Sequence, residues 1–244
     1  MHRYLLKISY DGTDYHGWQV QPNGITVQEQ LQSSMNKLYG FAPGITGCSR
    51  TDAGVHAYEF FCHFDLNNKI PVEGIINGLN SVLPADIRAL DCFEVRKDFH
   101  SRYDAKSKTY MYVIYRGNIH DPFSARYTYN YSGKLNVSDI KHFCSTLVGE
   151  HDFAGFSSAG RSAQQTVRTL YSCEIEESGN LLTLTITGNG FLYNMVRIIV
   201  GTAIEVGRGR IDKNIALEIF KSKDRTLAGA TAPAKGLFLK QVTY

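Results

Sequence analysis

Cysteine is sparse in this chain and nowhere paired by spacing. The five are Cys48, Cys62, Cys92, Cys144 and Cys173, an odd number with no C-x-x-C among them. That argues against a zinc ribbon and against a secreted disulfide framework, and they read as small buried hydrophobes. No apolar run reaches the length of a transmembrane helix. The start, Met1-His2-Arg3-Tyr4, enters a strand-like run without a signal-peptide pattern. The expectation is a cytoplasmic protein with no membrane segment. Charge of one sign is also lacking: 26 Lys+Arg against 23 Asp+Glu leave +3. This permits an anionic partner without requiring one, and a basic face would need uneven distribution. What a core needs is present, with 43% hydrophobic and 20% charged residues over 244 positions. Disorder is not the default, and the length suits one large domain or two small ones.

Periodicity then sets the element order. Residues 3–10, rich in Tyr, Leu and Ile, read as a strand. Thr26 and Glu29 form a capping box ahead of Val27, Leu31, Met35 and Leu38 at helical spacing. A short strand ends near Gly47. Tyr58, Phe60, Cys62 and Phe64 alternate with Glu59, His63 and Asp65, which predicts a strand with Phe61 as the apolar exception. Val72, Ile75, Ile76, Leu79, Val82 and Leu83 predict a helix that Pro84 stops, and 86–95 a further strand. The order is βαββαβ, as in ferredoxin-like units.

The second half is expected to repeat that order without repeating residues. It has a strand at 108–116, a helix on Val137, Ile140, Phe143, Cys144 and Leu147, and a hairpin of 165–176 and 181–188. A helix on Phe191, Met195, Ile198, Ile199 and Thr202 ends before Gly207. A short helix at 212–221 and a strand at 237–243 follow. The fold class is therefore α+β: two ferredoxin-like (RRM-like) βαββαβ domains, 1–104 and 105–244, forming a broad, mostly antiparallel sheet with a central cleft.

Four segments carry chemistry. Gly47-Cys48-Ser49-Arg50-Thr51-Asp52-Ala53-Gly54-Val55-His56-Ala57 gathers a cation, an anion and a histidine between two strands. Gly54 suits a tight loop, and read alone the segment is equally an Asp-turn with a surface salt bridge. Gly188-Asn189-Gly190-Phe191-Leu192-Tyr193-Asn194-Met195-Val196-Arg197 leads into an apolar helix, which puts Arg197 on or near the buried stripe. A buried arginine needs an anionic partner. Asp52 is a candidate; Arg197 reaching the surface, or pairing with another carboxylate, is the other reading. Lys106-Ser107-Lys108-Thr109-Tyr110-Met111-Tyr112 alternates tyrosines on a strand, either packed in a core or offering a ring to a nucleobase. Gly12-Thr13-Asp14-Tyr15-His16-Gly17-Trp18-Gln19-Val20-Gln21 mixes polar and aromatic groups. It suits an RNA-contacting loop, or a structural loop around the chain's single Trp.

Together these segments resemble the TruA family of tRNA pseudouridine synthases almost end to end. The runs R-T-D-A-G-V-H at 50–56, H-G-W-Q-x-Q at 16–21, F-H-S-R-Y at 99–103 and K-x-Y-x-Y at 108–112 fall in the family's order. So do G-E-H-D-F at 149–153, G-F-L-Y-N-M-V-R at 190–197, V-G-R-G at 206–209 and T-A-P-A-K-G-L at 231–237. Ser49 and Ala230 depart from the family's frequent Gly and Pro, which touches loop geometry and not a charged or stacking position.

The resemblance implies isomerisation of uridine to pseudouridine at tRNA positions 38, 39 and 40, in the anticodon arm. By the same implication Asp52 is the essential aspartate and Arg197 the basic residue that pairs with it. Tyr110 stacks on the target base, Arg50 helps displace the nucleotide, and His56 joins them at the substrate. No cofactor and no metal are implied, and the family's members are homodimers that grip tRNA across both subunits. The site is expected in the cleft between the domains. Arg50, Arg161, Arg168 and Arg208 are candidate phosphate contacts, each equally a solvated surface charge.

Two other classes stand beside this one. A zinc-dependent base deaminase needs H-x-E and P-C-x-x-C, and His56 is followed by Ala57-Tyr58-Glu59. A non-catalytic RNA-binding protein of RRM-like domains fits the element order, although the RRM stacking motif is not apparent.

Overall fold

The computed structural model describes residues 1–160 and 165–244, and the chain divides into two units. Met1–Lys106 with Phe238–Tyr244 form the first, Ser107–Leu237 the second. The first runs β1 (His2–Tyr10), α1 (Val27–Tyr39), β2 (Thr46–Gly47), β3 (His56–Leu66), α2 (Val72–Val82) and β4 (Ile87–Val95). This is the βαββαβ order that the hydrophobic periods predict. Strand β1 lies between β4 and β3, antiparallel to both, with Tyr4 opposite Phe64, Leu6 opposite Cys62 and Ile8 opposite Phe60. These side chains are fully or almost fully buried, and Val27, Leu31 and Met35 of α1 and Ile75 and Leu79 of α2 join them in the core. Thr26 caps α1 by accepting the Glu29 N–H, as the capping-box spacing predicts. The closing strand of the chain runs parallel to β3, with Phe238 opposite His56 and Leu239 opposite Ala57.

The predicted alternation on β3 does not hold. Tyr58, expected inside, is 52% exposed, and His63, expected outside, is 7% exposed. Two features break it: a register shift against β1, where Ile8 faces Phe60 but Tyr10 faces Ala57, puts Tyr58 out of phase, and a second cover buries His63. Residues beyond β4 fold back over the far face of β3: Phe61 and Phe99 both pack on Tyr244, at ring-centroid distances of 5.3 and 5.1 Å. Arg3 clamps Asp65 with two N–H donors at 2.7 and 2.8 Å and gives a third to the Phe99 carbonyl. A strand covered on both faces loses the in-out alternation that marks a half-exposed one.

The second unit contains β5 (Ser107–Tyr115), β6 (Tyr129–Asn130), α3 (Val137–Thr146), β7 (Gly149–Asp152), β8 (Val167–Ser178) and β9 (Leu181–Gly188). Helices α4 (Met195–Gly207) and α5 (Ile215–Ser222) follow, and the chain ends with β10 (Leu237–Thr243), which belongs to the first unit from Phe238 on. The order in space is β5-β9-β8-β7, all antiparallel, with β6 parallel beside β5. Tyr110, Tyr112 and Ile114 face one way from β5, and Leu182, Leu184 and Ile186 pair with them from β9. Asn136 caps α3 by accepting the N–H groups of Ser138 and Asp139. Rings of Phe143, Phe153, Phe156, His151 and Phe220 close the core around α5.

Three differences from the predicted order stand out. The helix expected from Phe191 begins at Met195, because Asn194 takes a left-handed backbone (φ 58°), and it runs through Gly207. Two very short strands, β6 and β7, interrupt the second half. And the strand at 237–243, placed with residues 105–244 by order of elements, counts from Phe238 on with the first unit. Both units are mixed α+β.

Candidate active site

Asp52 stands in residues 48–55, the connection between β2 and β3. Its carbonyl accepts the Val55 N–H (3.2 Å), closing a tight turn, and Gly54 takes φ 77°. A positive φ at the third position is what a type II turn requires. Cys48 fixes the entry to the loop: its N–H donates to the Phe61 carbonyl (2.7 Å) and its Sγ accepts the Phe61 N–H (3.4 Å). Thr51 fixes the middle. Its hydroxyl meets the Tyr10 hydroxyl at 2.8 Å in a buried contact, and its carbonyl accepts the Trp18 N–H at 3.1 Å. The carboxylate at the next position is half-buried and Arg50 is exposed.

A second loop, residues 11–18, braces the first from behind. The Gly54 N–H donates to the Tyr15 carbonyl (3.2 Å), and a Cβ on Gly12 would fall 1.9 Å from the Val55 carbonyl oxygen. Trp18 stacks on Phe60 at 4.1 Å. Tyr15, Gly17 and Trp18 are buried, as the structural reading of this segment expects, whereas Asp14, His16, Gln19 and Gln21 are exposed.

His56 ends the Asp52 loop and is 2% exposed. Its Nδ1 lies 3.1 Å from the Gly12 N–H and 3.0 Å from an Asp11 carboxylate oxygen, and its ring stacks on Phe238 at 4.7 Å. It joins the two loops from inside.

The other predicted residues lie in the second unit. Tyr110, on β5, is 6% exposed, with the Phe191 ring edge-on at 5.0 Å. Two residues earlier on the same face stands Lys108, 9% exposed, a degree of burial that is rare for lysine. Its only sequence signal is its place in the K-x-Y-x-Y alternation. Arg197 is half-buried in the first turn of α4. Its Nε donates to the Ala232 carbonyl (2.7 Å) and a terminal N–H to the Asn194 side-chain oxygen (2.9 Å). Its own carbonyl accepts the Ala232 N–H at 3.1 Å. The sequence gives no sign of either acceptor, since both are neutral and one is backbone.

The segment that supplies Ala232 is itself pinned. Tyr112 donates to the Pro233 carbonyl (2.7 Å), the Gly229 N–H donates to the Thr202 hydroxyl (2.9 Å), and the Ala230 carbonyl lies against Gly201. Of the peripheral arginines, Arg208 pairs with Glu205 at 2.7 Å. Arg168 donates to the Gln165 and Val167 carbonyls beside a cavity of about 290 Å³ lined also by Glu150, Thr169 and Asn189. Arg161 lies outside the described residues. Among the described residues, no group of three or more His, Cys, Asp or Glu side chains is placed to hold a metal ion, and no helix is long and apolar enough to cross a membrane.

Residues 143–244 match a family model described as tRNA pseudouridine synthase. Over the whole chain, relatives named tRNA pseudouridine synthase A are similar at high coverage. That of Thermoanaerobacter sp. (strain X514) is 45% identical over 244 residues, covering 100% of both chains. That of Clostridium acetobutylicum is 46% identical over 239 residues, 98% of each. That of Lacticaseibacillus casei (strain BL23) is 43% identical over 247 residues, again 100% of both. With identity at this level from end to end, the chain belongs to the tRNA pseudouridine synthase A family, isomerases that convert uridine in tRNA to pseudouridine.

Proposed function

We propose that this chain isomerises uridine at positions 38, 39 and 40 of the tRNA anticodon arm, with Asp52 as its reacting group. The observation that carries the reading is the bracing of the Asp52 turn. Four backbone hydrogen bonds, a buried Tyr10–Thr51 hydroxyl pair and the contact of Gly12 with Val55 hold a loop whose aspartate stays half-buried. Rigid presentation of one polar group at a loop tip suits catalysis, which depends on fixed geometry.

The chemistry needs little more. The bond from uracil N1 to the ribose carbon C1′ breaks, the ring turns, and C1′ bonds to C5. C5 releases a proton and N1 gains one, so no atom or electron enters from a cofactor. Unstacking the base costs a few kcal/mol and calls for an aromatic platform, which is Tyr110 in this reading. Arg197 is, in this reading, the basic residue that serves Asp52. Arg50, being exposed, takes the place vacated by the flipped nucleotide. His56 positions the loop from within. The enzyme acts in the cytoplasm as a homodimer, gripping one tRNA with both subunits.

The test is single-turnover tritium release from a tRNA transcript labelled at uridine C5, with the product positions mapped by carbodiimide treatment. Wild type should release tritium and mark positions 38–40, and Asp52→Asn should do neither while binding tRNA. Equal release by the two proteins would sink the assignment of Asp52. Tight binding without release from either would leave an RNA-binding protein instead.

A further inference from the structure

Among the described residues only two non-glycine residues have a positive φ, Asn194 and Lys223. Lys223 sits in the ordinary place for one, the C-terminal cap of α5, with its N–H bonded to the Ile219 carbonyl. Asn194 does not. It precedes the first residue of α4, where a capping residue is usually extended and its side chain usually accepts a backbone N–H of the first turn. Here the backbone is left-handed (φ 58°, ψ 6°) and the side chain makes no capping bond. The conformation is disfavoured for most residues with a Cβ, Asn adopting it more readily than most, and it persists where the surroundings impose it.

The side chain of Asn194 is engaged elsewhere. Its Oδ1 accepts from an Arg197 terminal nitrogen at 2.9 Å, and its Nδ2 donates to the Ser158 hydroxyl at 3.0 Å. A guanidinium only donates, so the atom facing it must be the amide oxygen, and this fixes which way the amide group points. Arg197 is then held at two points of one rigid plane: Nε on the Ala232 carbonyl and the terminal nitrogen on Asn194. Two acceptors on a planar fork fix its orientation.

We propose that Asn194 is a positioning residue for the reaction: its left-handed backbone and its bond to Ser158 aim the Arg197 guanidinium. This rests on the reading of Arg197 as the cation that serves Asp52. The left-handed turn places the amide where the guanidinium can reach it, and Ser158 keeps the amide from rotating. A side chain used to cap the helix would be lost to both tasks.

The test exploits a split between stability and rate. Asn194→Gly relieves the backbone strain while removing the acceptor, so the melting temperature should hold. The single-turnover rate at saturating enzyme should fall roughly ten- to a hundred-fold, the scale of an ångström-level misplacement in an active site. The dissociation constant for tRNA should not change. Ser158→Ala keeps the turn and the Asn194–Arg197 bond but frees the amide, and should show a smaller rate loss in the same direction. Arg197→Gln is the control. If it retains the wild-type rate, the reading of Arg197 itself is wrong. If it is slow while both Asn194→Gly and Ser158→Ala react at the wild-type rate, the positioning role is overturned. A melting temperature that falls in step with the rate in Asn194→Gly would likewise assign Asn194 to folding alone.

Discussion

Gly12 and Val55 touch backbone to backbone: a single added carbon on Gly12 would stand 1.9 Å from the Val55 carbonyl oxygen and 2.6 Å from its carbonyl carbon. The contact joins the end of β1 to the turn that presents Asp52. Gly12→Ala therefore has to push the turn away. We expect a loss of about 1–3 kcal/mol in denaturant unfolding, the usual cost of forced overpacking. Isomerase rate should fall further than that loss explains at temperatures where the variant is folded. A variant with wild-type rate and stability would show that the turn tolerates displacement.

Gly201→Ala separates helix propensity from packing. In an open helix the change is stabilising by about 1 kcal/mol. In α4 the new methyl would lie 1.7 Å from the Ala230 carbonyl oxygen. The variant should melt lower than wild type and turn over more slowly, because the displaced segment also carries Ala232, the acceptor for Arg197. A rise in melting temperature would contradict the close contact.

Tyr110 is expected to act through its ring. Tyr110→Ala should lower the single-turnover rate by roughly ten- to a hundred-fold, since base–aromatic stacking contributes about 1–3 kcal/mol. Tyr110→Phe keeps the ring and should lose less. Equal losses in the two would assign the effect to the hydroxyl.

His63 gives the first unit a pH dependence. Burial, followed by the charges of Arg3 and His100, lowers its pKa from 6.5 to about 4. The geometry agrees, since the Ser101 N–H donates to its Nδ1 at 3.1 Å and requires a lone pair there. Below pH 6.5 the unfolded chain binds a proton at this residue that the folded chain refuses until about pH 4. Its contribution is thus fully present above 6.5 and is lost as pH falls through that window, with a slope of up to about 1.4 kcal/mol per pH unit. Urea unfolding at pH 7.5 and 5 should show wild type losing more stability on acidification than His63→Gln. Parallel losses would remove His63 as the cause.

Elements with a long period are legible in the sequence, and the rest is not. The alternation of Tyr110, Tyr112 and Ile114, or the spacing of Val27, Leu31 and Met35, reports a face that is buried over several turns or pleats. Strands of two residues, such as Tyr129–Asn130, have no period to read. On β3 the pattern misleads, because the cover over Phe61 and His63 comes from residues 99–101 and Tyr244, distant in sequence. At α4, Phe191 and Leu192 continue the apolar spacing, and nothing in residue type announces that Asn194 turns left-handed.

The site divides the same way. The run from Arg50 to His56 reads alone as an ordinary Asp-turn, and only its place among the other runs of the family resemblance singles it out. Its brace is invisible, since Gly12 contributes only the absence of a side chain. The acceptors of Arg197 are hidden for a related reason: a carbonyl at Ala232 belongs to every residue, and only the fold selects it.

The first unit is discontinuous: the chain leaves it at Lys106 and returns at Phe238, whose ring covers His56 and Tyr58. On the ribosome this becomes an order of events. The Asp52 loop is synthesised early, but the flank of β3 behind it stays uncovered until the whole second unit has been made. A message truncated before Phe238 yields the complete Asp52 loop on an unfinished scaffold. Translation thus delays completion of the first unit until all of the second has been made.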